Sequence, residues 1–75
     1  MNKARRAALA KVAERLEEWR LELETLQQEE QDYLDNLPEN MQCGERAERS
    51  QDAISAIEEA GNSVASAIES IEGVS

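Results

Sequence analysis

Arg46 and Arg49 stand three residues apart, just after the stretch Leu37-Pro38-Glu39-Asn40-Met41-Gln42-Cys43-Gly44. If a helix starts there, both guanidinium groups share one helical face. The free N–H groups of the first turn then point toward the same space. Such an arrangement could bind a phosphate or a carboxylate. Several copies with apposed turns could sequester a phosphorylated signalling nucleotide. The plainer reading is a solvated ion-pair face, because Glu45, Glu48 and Asp52 lie within helical pairing distance. Cys43 sits in the same turn, with no histidine or lysine beside it to activate its thiol.

The rest of the chain holds little that could react. It has one cysteine and no histidine, which excludes an internal disulfide and leaves too few ligands for a zinc site. Di-iron bundles use Glu-x-x-His motifs, and none occurs. Nor does a phosphate-cradling glycine loop, a nucleophile elbow or a calcium loop. Carboxylate pairs such as Glu14/Glu18, Glu29/Glu30 and Glu58/Glu59 belong to faces that are acidic throughout. The reading is a non-enzymatic protein with no catalytic residue, no metal and no cofactor.

The elements that position these residues are read from two apolar ladders. The first is Leu9, Val12, Leu16, Trp19, Leu23, Leu26, Tyr33 and Leu37; the second is Ile54, Ile57, Gly61, Val64, Ile68 and Ile71. A repeat of about 3.5 residues marks helices packed along a narrow seam. The spacing predicts a helix over about 3–36, a turn over 37–44 and a helix over about 45–72, in one domain spanning 1–75. Written as heptads, position a of the first helix holds Leu9, Leu16, Leu23, Glu30 and Leu37, and position d holds Val12, Trp19, Leu26 and Tyr33. In the second helix, a holds Ile54, Gly61 and Ile68, and d holds Ser50, Ile57, Val64 and Ile71. Glu30 interrupts the seam, either fixing the register or marking a place where the bundle opens to water. Gly61-Asn62-Ser63 is the weak point of the second helix and could break it, with Ser63 as a new N-cap. Folding the arms together pairs Leu37 with Ala47, Leu26 with Ile57, Leu23 with Gly61, Trp19 with Val64, Leu16 with Ile68 and Val12 with Ile71. Large residues then face small ones around Gly61. The same fold brings Lys3, Arg5 and Arg6 beside Glu69 and Glu72.

Seventy-five residues in two helices bury too little surface to stand alone without a disulfide or a metal. The predicted fold class is therefore all-α: an antiparallel, coiled-coil-like helical hairpin that oligomerises, most simply as a dimeric four-helix bundle. The oligomer core would be Leu9, Val12, Leu16, Trp19, Leu23, Leu26, Tyr33, Ile54, Ile57, Val64, Ile68 and Ile71, with Trp19 buried at its centre. The net charge is −9, which repels nucleic-acid backbones and lipid headgroups. The basic start (Lys3, Arg5, Arg6, Lys11) is the one segment that could act as a nucleic-acid arm. No apolar run approaches the roughly 20 residues that span a bilayer, and the start lacks a secretory apolar core. A cytoplasmic setting is expected.

One stretch carries a resemblance. Tyr33 to Asn36, the turn Pro38 to Gln42, then Glu45-Arg46 and the Ile/Ala/Glu-rich helix resemble a group of small acidic two-helix proteins. These come from bacteriophages and bacterial mobile elements, and share a PEN-x-Q turn. The match covers roughly residues 25–72. It implies a bacterial host cell as the setting and a host protein, including a defence protein, as the partner to be bound and inhibited. Asp52, Glu58, Glu59, Glu69 and Glu72 on the outer faces would complement a basic surface on that partner. The alternatives are the nucleotide sponge built on Arg46 and Arg49, and a structural module whose task is only to oligomerise.

Overall fold

A computed structural model describes residues 2–74. Two helices dominate it, α1 (Lys3–Asp35) and α2 (Glu45–Glu72), joined by a short 3-10 turn at Glu39–Met41. They pack side by side as a hairpin measuring 59 × 14 × 12 Å between Cα extremes.

Each boundary has a local cause. The Asn2 side chain caps α1 by accepting from the Arg5 backbone N–H at 2.8 Å. At the other end the Asn36 amide donates to the Asp32 carbonyl at 2.7 Å, ahead of the helix-stopping Leu37-Pro38 step. Pro38 precedes the 3-10 turn with φ −56° and ψ 149°. Gly44 does not close that turn in a left-handed conformation. It is the N-cap of α2, with φ −92° and ψ −175°, extended backbone that any residue adopts. Glu45 and Glu48 fill the first turn of α2, where carboxylates meet the positive end of the helix dipole.

α2 runs unbroken through Gly61-Asn62-Ser63. A Cβ on Gly61 would meet no heavy atom within 4 Å, so close packing against Leu23 is not what the glycine provides. Gly61→Ala should therefore stabilise the helix by about 1 kcal/mol. In a domain of this size that raises the thermal midpoint by about 4–8 °C, readable by circular dichroism. A lowered midpoint would show that the space at Gly61 is used.

The core is densest near the turn. Leu37 is 8 % exposed and Ala47 is 1 % exposed. One turn further along, Ser50 is 2 % exposed, and its hydroxyl donates to the Glu30 carboxylate at 2.7 Å. That bond crosses the seam between the two helices. Glu30, the charge at a core position, thus meets a polar partner directly opposite it. A slide of one residue would leave a buried hydroxyl and a half-buried carboxylate without each other. The bond suits the register reading of Glu30, and the open cleft that Glu30 lines suits the other.

Candidate interaction face

Most of the half-buried and buried residues of α1 and the turn trace two rows that are not the pair apolarity suggests, with Glu17 and Gln31 on the edge beyond them. Leu9, Leu16, Leu23, Glu30 and Leu37 form one row; Ala13, Arg20, Gln27 and Leu34 form the other. These are positions a and e. Position d stands outside: Val12 is 43 % exposed, Trp19 55 %, Leu26 50 % and Tyr33 45 %. α2 behaves differently. Both of its ladder positions are turned inward, with Ile54, Ile57, Gly61, Val64, Ile68 and Ile71 all half-buried. The pairings of Val12, Trp19 and Leu26 across the seam therefore cover those side chains only in part.

The e row admits polar residues because they are long. Arg20 and Gln27 are half-buried there, as polar side chains can be when their stems cover apolar surface. Arg20 donates through Nε to Glu17 at 3.1 Å and through Nη1 to Glu24 at 2.6 Å. The hydrogen bond from Arg20 holds Glu17's carboxyl below the ordinary carboxylate range, and Glu17 raises the arginine in turn. Sequence reasoning missed this row. Ala13 and Leu34 were its only apolar signal.

Two clefts along the seam show which rows share a side. One is lined by Glu24 and Gln27 of α1 with Glu58, Asn62 and Ala65 of α2. The other is lined by Tyr33 and Glu30 of α1 with Arg46, Arg49 and Ser50 of α2. The exposed d row of α1 therefore lies on the Arg46 side of α2. One heptad step at a time from Arg46 come Ala53, Ala60 and Ala67, with Ala56, Ser63 and Ser70 next to them. The two long sides of the hairpin are thus unlike. One carries Val12, Trp19, Leu26 and Tyr33 beside a row of small residues. The other is polar, with Glu24, Gln27, Gln31, Glu58 and Asn62.

The remaining sequence-derived residues fall around this frame. Asp52, Glu58, Glu59, Glu69 and Glu72 are exposed, off the row of Ala53, Ala60 and Ala67. Arg6 and Glu72 line one small cleft at the open end of the hairpin, where the basic start and the acidic end meet. Arg46 and Arg49 do share a cleft, but Glu30 stands in it as well, and Arg49 is bridged to Glu45 at 2.6 Å. A carboxylate beside the arginines opposes an incoming anion. Cys43 is exposed at the turn. Among the described residues, no group of three or more His, Cys, Asp or Glu side chains is placed to hold a metal ion. Nor, among them, is any helix long and apolar enough to cross a membrane.

No protein-family model, curated protein or solved structure matches the chain.

Proposed function

We propose that this chain is a non-enzymatic interaction protein that works as a self-associated helical bundle, most simply a dimer of hairpins with four helices. The observation that carries the reading is the exposed row Val12, Trp19, Leu26 and Tyr33. Four large apolar side chains aligned along one side of a hairpin are a surface in want of a cover. From Val12 to Tyr33 the row runs about 32 Å along α1. Joining two such faces leaves the acidic rows of α2 outermost. Asp52, Glu58, Glu59 and Glu69, with Glu72 at the end of the helix, then stand on the outside, where their carboxylates complement a basic surface.

The resemblance of the turn region to phage and mobile-element proteins makes a bacterial host protein, such as a defence protein, the partner class. Its inhibition by occupation of a basic site is the matching mechanism. The test has two parts. Sedimentation velocity over a range of concentrations should give twice the mass of one chain, and a folded single chain at micromolar concentration would end the reading. Affinity capture from bacterial lysate should recover a basic protein at moderate salt. Reversing Glu58 and Glu59 to lysine should release it while the dimer mass stays.

A further inference from the structure

Gly61 lies inside α2, where a glycine costs the helix stability. Nothing within the hairpin requires it. Its φ is not positive, and a Cβ built there would meet no heavy atom within 4 Å. The missing side chain leaves a notch at the edge of the seam, a cleft of about 130 Å³ on the polar long side of the hairpin. We infer that this notch receives one lysine or arginine side chain of the basic partner proposed above, a reading on which this rests.

The notch has a floor and a rim of different character. Leu23 of α1 and Ile57 and Ala65 of α2 line it and are half-buried. Ile57 and Ala65 stand one turn before and one turn after Gly61, on the same face of α2. Apolar walls of this kind suit the stem of a long basic residue, which buries its methylenes and keeps its charge at the surface. The space is far larger than the roughly 10–15 Å³ that a single water needs, so a side chain can enter it.

The rim supplies the charge. Glu58 and Asn62 line the cleft and are exposed, and among the described residues Glu58 has no ion-pair partner. The one base at the rim, Arg20, is already held by Glu17 and Glu24, so it adds no unpaired positive charge. A cationic head group leaving the apolar floor thus comes out beside an unpaired carboxylate and an amide oxygen. An anion would be repelled by Glu58, and a wholly apolar side chain would desolvate that carboxylate without giving it a partner.

The cleft also lies where a partner can reach it. It opens on the long side away from Val12, Trp19, Leu26 and Tyr33, so pairing of hairpins through that row leaves it uncovered. Glu59, the next residue after Glu58, is exposed and continues the acidic surface outward. An anchor seated in a pocket, with weaker contacts around it, is how interface energy is usually distributed.

The probe is a capped peptide of alternating lysine and alanine, titrated into the isotope-labelled protein at moderate salt and followed by amide resonances. Those of Leu23, Gly61 and Asn62 should move most, and the same peptide with every lysine acetylated should leave them in place. Gly61→Leu fills the notch without changing charge. It should keep or raise the thermal midpoint and weaken peptide binding about tenfold. Glu58→Gln should weaken binding by a similar factor. Glu14→Gln, the same charge change at an exposed site far along α1, should weaken it less than about twofold, because salt screens it. An unaltered affinity for Gly61→Leu, or a Gly61 amide that does not move in the parent protein, would overturn the inference. Equal binding of the acetylated peptide would overturn it by making the occupant apolar, and tighter binding of spermidine by making it a free polyamine. In lysate capture, a basic protein that Gly61→Leu holds as firmly as the parent would also overturn the notch while leaving the basic-partner reading in place. Recovery of no basic protein would end that reading.

Discussion

If the chain pairs as proposed, truncating Trp19 to alanine is expected to raise the dissociation constant of that dimer by about a thousandfold or more. The argument starts from exposure. Trp19 is the largest side chain of the chain and is 55 % exposed in a lone hairpin, so half of its surface gains little from intramolecular folding. It stands in the middle of a row whose other members, Val12, Leu26 and Tyr33, are exposed to a similar degree. A large aromatic near the centre of an interface is the common hot spot, with a truncation cost of about 2–4 kcal/mol. Two-fold symmetry removes it twice, and each 1.4 kcal/mol is tenfold in affinity. Sedimentation equilibrium of Trp19→Ala should show single chains where the parent is paired. Leu21→Ala is the matched control: Leu21 is 49 % exposed but lies off the row, and its loss should leave the mass unchanged. A Trp19→Ala protein that pairs as tightly as the parent would place the interface elsewhere.

The hairpin was legible in the sequence because its signals are redundant. Two apolar ladders of the same period, a Leu-Pro stop, a turn and acidic residues in a first helical turn all agree, and the helices fall at Lys3–Asp35 and Glu45–Glu72. The orientation of α1 about its own axis was less legible. Apolar periodicity ranks Trp19, Val12 and Leu26 above Arg20 and Gln27 as seam residues. Yet Arg20 and Gln27 are half-buried while the first three stand exposed. Periodicity counts apolar atoms and does not separate two destinations for them, one within the chain and one beyond it. α1 has three neighbouring rows able to cover apolar surface (a, d and e), and a single partner helix can cover two. The third row is visible as a distinct object only once α2 is in place. The Glu30–Ser50 hydrogen bond follows the same logic. The sequence shows a charge at a core position, and only the register shows that a serine hydroxyl stands opposite it.

Leu37→Ala should be the most damaging single change to the hairpin itself, and it separates folding from association. Leu37 is 8 % exposed and sits at the end of the seam where Ala47, 1 % exposed, begins α2. Removing a buried leucine side chain costs about 2–5 kcal/mol. A domain of this length has a total stability of roughly 4–11 kcal/mol, so the loss is a large share of it. The interaction face is built from α1 and α2 together, and a hairpin that opens at its turn no longer holds the large row beside the alanines. Association should therefore weaken although Leu37 lies in the seam, not in the exposed d row. Thermal melts at several protein concentrations distinguish this from a direct interface defect. A protein that folds and pairs together melts at a higher temperature when more concentrated. Leu37→Ala should keep that dependence with every midpoint lowered, because its face is chemically intact and mass action can still close it. Trp19→Ala should lose the dependence, because concentration no longer drives pairing. If Leu37→Ala also melted independently of concentration, the turn-end core would be part of the contact between copies, and the face would extend beyond the Val12–Tyr33 row.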